Sequence, residues 1–186
     1  MKKIYISILL ALLVFIVVGS VILVQRNSQT RDSVFDNGNF FVNNGYIYKD
    51  GSSKKYSGTI IDTVSDRVIK YNVVDGKKNG EFTIFYSTGK VQIQGTMKDN
   101  KNNGLWKYYY QSGALESEGE FKDDLVSDKW TWYYKNGKIK ETGIFIKGKR
   151  EGKWTSYFIN GEIKAIFLFR NGNVIDVINA GDLKNA

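Results

Sequence analysis

A spacing of 24 residues runs through the C-terminal half of this chain and limits its fold more than any other feature. Gly80, Gly104, Asp128 and Gly152 lie 24 residues apart, as do Gly89, Gly113, Gly137 and Gly161. A third glycine column, Gly95, Gly119 and Gly143, ends at Phe167. Apolar columns keep the same step: Phe82, Trp106, Trp130 and Trp154; Phe85, Tyr109, Tyr133 and Tyr157; Tyr86, Tyr110, Tyr134 and Phe158. Two further columns are Val91, Leu115, Ile139 and Ile163, and Met97, Phe121, Phe145 and Phe169. A fixed period of this length marks a repeat architecture, in which each copy packs mainly on its neighbours.

Each copy reads as a β-hairpin. In one copy the first strand covers about six residues, Lys129 to Tyr134, and ends at Lys135-Asn136-Gly137-Lys138. Asn-Gly between such runs is a strong hairpin signal. The second strand covers Lys138 to Ile146, and a Gly- and Lys-rich turn, Lys147 to Gly152, leads into the next copy. Frequent glycines and alternating or paired aromatics exclude a helical period. The expected fold is therefore all-β: tandem antiparallel hairpins forming an elongated single-sheet solenoid, with ~10 strands over ~45 Å.

Earlier copies are degenerate. Tyr48-Lys49-Asp50-Gly51 resembles the turn, and Gly58-Thr59-Ile60 matches Gly80-Glu81-Phe82 at a spacing of 22, so two residues are lost. The expected organisation is residues 26–45 as a polar linker, 46–79 as degenerate repeats, 80–172 as full repeats and 173–186 as a C-terminal cap and tail. End repeats need an atypical face, and Phe167 in the glycine column fits such a cap.

The N-terminus carries a different signal. Lys2 and Lys3 precede an uncharged run from Ile4 to Val24, followed by Gln25, Arg26, Asn27 and Ser28. At ~1.5 Å per residue that run spans ~30 Å, the thickness of a bilayer core. A cleaved leader with its site at Val18-Gly19-Ser20 would leave Val21 to Val24 as an apolar new terminus, which disfavours it. Residues 1–25 are accordingly expected to be a single-pass signal anchor in the cytoplasmic (inner) membrane. The short basic N-terminus stays inside and puts the repeats outside the cytoplasm.

Composition closes off several chemistries. The chain has no Cys and no His, which removes thiolate nucleophiles, disulfides, Cys/His metal sites and histidine bases. It has no Pro, 19 Gly and 15% aromatics, as expected of strands joined by tight turns. No phosphate-binding glycine loop precedes a helical pattern. An enzyme, a metal centre and a cofactor are therefore not expected. The net charge of +8 suits an acidic protein, anionic lipid or nucleic acid, and equally suits plain solubility. An extracytoplasmic location argues against nucleic acid.

Residues 80–172 follow Gly-x-Trp-x-x-Tyr-Tyr-x-Asn-Gly, then Lys-x-x-x-x-Gly-x-Phe, best seen at Lys129-Trp130-Thr131-Trp132-Tyr133-Tyr134-Lys135-Asn136-Gly137. This pattern resembles the bacterial MORN-variant repeat, as found in the YwqK-like antitoxin family. The resemblance implies a protein that binds and neutralises a toxin. With an anchor, it implies an immunity protein meeting its toxin outside the inner membrane. The alternative is a structural envelope scaffold or lipid-associated MORN-like protein.

Three groups of side chains are candidates for contact with a partner. Trp106, Trp130 and Trp154 are equivalent, and their bulk favours a place in the repeat core. Tyr109, Tyr133 and Tyr157 lie on the other face of their strands, beside Lys107, Thr131 and Thr155, and are the better candidates for an exposed aromatic ladder. Lys55, Lys77, Lys101 and Lys149 occupy equivalent turns, with Lys78 and Arg150 beside them, so stacking would line them along one edge, which Leu125 interrupts and Asp123 and Asp124 oppose. That edge suits anionic headgroups or an acidic toxin, and equally suits plain solvation and protection of a sheet edge. Glu116, Glu118 and Glu120 alternate along one strand and are expected to form a charged solvent face, pairing across strands with Lys140 and Lys164.

Overall fold

The computed structural model describes residues 33–34 and 39–183. The apolar run Ile4 to Val24 lies outside them. Among the described residues, no helix is long and apolar enough to cross a membrane.

The chain divides into two compact units, up to Tyr56 and from Ser57 onward. The first contains a three-stranded antiparallel sheet of β1 (Ser33–Val34), β2 (Phe40–Asn43) and β3 (Tyr46–Lys49). Phe40–Asn43 falls within the segment expected to be a linker. Its apolar residues pair with β3 across a two-residue turn, Asn44-Gly45, with φ of 50° and 75°. That left-handed pair defines the hairpin turn Asn-Gly favours.

The second unit is one 12-stranded sheet. Its strands are β4 (Gly58–Val64), β5 (Arg67–Val74), β6 (Lys77–Phe85), β7 (Val91–Lys98), β8 (Lys101–Asn102), β9 (Gly104–Tyr109), β10 (Leu115–Lys122), β11 (Leu125–Tyr133), β12 (Ile139–Ile146), β13 (Lys149–Tyr157), β14 (Ile163–Arg170) and β15 (Asn173–Asn179). A short helix, α1 (Ala180–Leu183), follows. The strands pair antiparallel in chain order from β4 to β15, with β8 paired to β7 at the side of the path. The hairpin-repeat architecture expected from the period is thus present, as an open meander.

Two kinds of turn alternate. Tyr134 N–H donates to Lys138 O and Gly137 N–H to Tyr134 O, and the same pair of bonds recurs at residues 86–90, 110–114 and 158–162. This is a three-residue loop whose glycine must be left-handed, and Gly89, Gly113, Gly137 and Gly161 have φ between 80° and 97°. The turn between repeats is tighter than expected. The segment Lys147 to Gly152 is a two-residue turn, Lys147-Gly148, with Lys149 onward already in β13. Asp99-Asn100, Asp123-Asp124 and Asn171-Gly172 are its counterparts, all with positive φ. Short polar side chains tolerate that conformation, so glycine is not needed at both positions. Of the two residues missing from the degenerate copy, one is lost where the two-residue turn Ser65-Asp66 replaces the three-residue loop, and the other with the bulge between Ile84 and Phe85, which β4–β5 lacks.

The third glycine column has a different cause. A Cβ on Gly95, Gly119 or Gly143 would lie 2.2, 2.2 or 2.1 Å from the indole of Trp106, Trp130 or Trp154. Each ring lies flat over the glycine, and its N–H donates to the carbonyl one residue further on: Thr96, Glu120 and Ile144, at 3.0, 3.0 and 3.1 Å. These tryptophans are 1, 3 and 0% exposed, which places them in the core. Glycine is required only where a Trp follows in the next repeat. Tyr71 stands in the column before Phe82, and Phe167 stands where the next repeat would bring Ile178. The segment expected as a cap continues the sheet as β15, all seven residues of which are exposed.

Between repeats, Tyr86, Tyr110 and Tyr134 hydroxyls donate to the backbone carbonyls of Tyr109, Tyr133 and Tyr157 at 2.5, 2.7 and 2.7 Å. Phe158, in the last copy, lacks the hydroxyl.

Two predictions concern this packing. Gly119→Ala is expected to lower stability by roughly 1–3 kcal/mol, the usual cost of overpacking. In a double-mutant cycle with Trp130→Leu, measured by denaturant unfolding, the two losses should sum to more than the double variant shows, because the clash needs both groups. Tyr134→Phe should cost about 1 kcal/mol by the same measurement, whereas Phe158→Tyr should gain nothing.

Candidate functional site

Strand alternation gives the second unit two unlike faces. One is aromatic. Rings contact in an unbroken series from Tyr71 through Phe82, Trp106, Phe121, Trp130, Phe145 and Trp154 to Phe169, with centroids 5.0 to 6.2 Å apart. Trp132 adds a side contact, 5.6 Å from Trp130 and 5.8 Å from Trp154. Tyr71 and Tyr108 are buried here with hydroxyls that have no hydrogen-bond partner, and burial pushes both phenols up.

Lys78 and Arg150, expected along a basic edge, turn onto this aromatic face instead. They share one column with Asn102 and Val126, which are buried. Lys78 Nζ lies 4.9 Å from the Tyr71 ring centre, and burial pushes its ammonium down. The Arg150 guanidinium lies 4.0 Å from the Trp154 ring and holds both Glu141 carboxylate oxygens, at 3.0 and 3.1 Å. Burying their stems on the rings, while the heads meet π-electrons or a carboxylate, suits long cationic side chains.

The rest of the expected edge is discontinuous. Lys77 is 3.5 Å from Asp99. Lys101 and Lys149 are exposed, and Leu125 stands between them in the column. Lys55 lies in the first unit, 3.6 Å over the Tyr46 ring.

The opposite face carries Tyr109, Tyr133 and Tyr157. Each is half-buried rather than freely exposed. Thr131 and Thr155 beside them are buried, and Thr131 shares a 3.0 Å hydroxyl contact with Thr142 across the strand pair. Tyr133 donates 2.8 Å to Glu118, whose other oxygen is 3.9 Å from Lys107. Burial and that carboxylate push the Tyr133 phenol up to about 12.

Glu116, Glu118 and Glu120 do share this face, but all three are half-buried. Burial raises Glu116, against the pull of Lys140 and Lys135. Lys164 lies 5.9 Å over the Phe158 ring. Elsewhere on this face large aliphatic side chains stand in solvent: Leu105 is 45% exposed, Leu125 50%, Ile144 50%, Ile146 54% and Leu168 40%. Sequence reading missed these. Their signal was present as apolar residues at positions alternating with the aromatic columns.

Three segments, residues 78–99, 102–123 and 129–147, match the model of the MORN repeat variant. No curated protein matches the chain. Among solved structures, one match is a mutant of S. aureus TarM in complex with fondaparinux, alpha-GlcNAc-glycerol and UDP. It is 13% identical, with a TM-score of 0.32, over 73% of this chain and 23% of that one. The chain thus spans under a quarter of TarM.

The raised Glu116 yields a pH prediction. A carboxyl with a raised folded pKa favours the fold while protonated and loses that contribution as pH rises through the raised value. Glu116→Gln stays neutral throughout. It should therefore melt above the wild type at pH 7 and match it below about pH 4, in thermal melts across pH.

Proposed function

We propose that this sheet of MORN-variant repeats is a non-enzymatic binding module, held at the membrane by residues 4–24, that recognises a protein partner with the face opposite its aromatic core. The partner is of toxin type, and the chain acts as an immunity or antitoxin protein outside the cytoplasm.

One observation carries the binding reading. The aromatic face packs ring on ring, while the opposite face, which also carries the half-buried tyrosines, leaves large aliphatic side chains 40 to 54% exposed. Clustered exposed apolar side chains rimmed by polar ones mark interaction surfaces. The toxin identity rests on the resemblance of the repeat to the YwqK-like antitoxins.

The test is a pull-down from native membranes with the full chain as bait. A stoichiometric partner of hydrolase or toxin character is expected. Tyr109→Ala and Tyr157→Ala should each weaken its capture about tenfold, the loss expected when an interface tyrosine is truncated. Recovery of only lipid or a broad set of envelope proteins would replace this reading with the scaffold one.

A further inference from the structure

The exposed aliphatic side chains on this face are not evenly mixed with charge. Pairing registers place Lys129 and Glu151 opposite Ile144, and Lys153 and Asp176 opposite Leu168. Ile144 and Leu168 thus each stand between a lysine on one neighbouring strand and a carboxylate on the other, on adjacent hairpins of β11 to β14. Leu125 and Ile146 continue the apolar surface toward the turn between repeats, where the Leu125 side chain lies against Gly148.

Lys129, Lys149, Lys153 and Arg170 around this patch are all exposed. Among the described residues, no carboxylate lies within ion-pair distance of any of the four. Of the acidic groups on this face nearest the patch, Glu118 holds Tyr133 and Lys107, Glu151 accepts from the backbone N–H of Asn171, and Asp176 accepts from that of Val177. The patch over β11–β14 therefore has aliphatic side chains at its centre and four cations without an ion-pair partner at its rim, while Glu151 and Asp176 beside them bond backbone N–H groups.

We propose that this patch docks an acidic protein surface whose carboxylates meet Lys129, Lys153, Lys149 and Arg170, and whose own aliphatic side chains pack on Ile144, Ile146, Leu125 and Leu168. The proposal rests on the binding role assigned to this face and names the chemistry of the partner. An uncharged or basic partner would leave the four cations desolvated without compensation, which costs binding. A purely ionic partner such as a nucleic acid would gain nothing from the aliphatic centre. The tyrosine column then borders the contact rather than forming its middle.

The test uses the full chain in zwitterionic nanodiscs, with empty nanodiscs subtracted, and fluorescence anisotropy of labelled peptides. The probes are a peptide of alternating Glu and Leu, its Glu/Ser counterpart and its Lys/Leu counterpart. The Glu/Leu peptide should bind about tenfold more tightly than either control, since both charge and apolar contact contribute. Combined Lys129→Glu and Lys153→Glu should transfer the preference to the Lys/Leu peptide. Ile144→Asn and Leu168→Asn, both at exposed positions and each checked by thermal melt, should erase the advantage of Glu/Leu over Glu/Ser. Equal binding of Glu/Leu and Glu/Ser, or indifference to these substitutions, would overturn the proposal. So would tighter binding to phosphatidylglycerol vesicles than to the Glu/Leu peptide, which would assign the patch to lipid. The two levels separate in the pull-down. A partner lost with Tyr109→Ala but retained with Lys129→Glu and Lys153→Glu overturns this inference and leaves the binding role standing. Recovery of no specific partner overturns both.

Discussion

The contact on which the second unit depends is an indole laid flat on a glycine. Gly95, Gly119 and Gly143 have no side chain, so Trp106, Trp130 and Trp154 come within a distance that any Cβ would occupy. That approach lets a single sheet bury its largest residues almost completely without a second layer. Close packing of aromatic area on a backbone surface takes the place of the opposing sheet or helix that most domains require. The indole N–H bond to the neighbouring carbonyl then fixes how each ring sits.

Two other sets of bonds tie consecutive repeats together. The tyrosine hydroxyls reach a carbonyl in the next copy on one side of the sheet. On the other side, the second residue of each tight turn donates to the strand of the previous copy, as Asn100 does to Lys78 O and Asp124 to Asn102 O. Both depend on a neighbour being present, which is how nearest-neighbour coupling makes repeat arrays stable. The terminal copies show the consequence, with Phe158 replacing the hydroxyl-bearing tyrosine and β15 left exposed.

Because the aromatic face is complete in itself, the opposite face is free to vary. It holds a polar seam, with Thr131 on Thr142 and Tyr133 on Glu118, and beside it the aliphatic and cationic patch of β11–β14. The repeat scaffold thus separates stability from recognition, and any activity must be argued from the second face, not from the fold.

The strands, the turns with left-handed glycines and the period of 24 were readable because each depends on a few adjacent residues. Alternation likewise put the Trp and Tyr columns on opposite faces. The two-residue turns were harder to see, since Asp-Asn, Asp-Asp and Lys-Gly all adopt them. The glycine column under the tryptophans was visible as a pattern, but its reason was not. By itself, then, the sequence determined an all-β hairpin repeat with one aromatic face. Only the tertiary structure decided that Lys78 and Arg150 fold onto that face, that the acidic strand is half-buried, and that Ile144 and Leu168 each stand opposite a lysine. Those outcomes depend on which residues of separate strands come opposite one another, and register is a property of the paired sheet that no single strand carries.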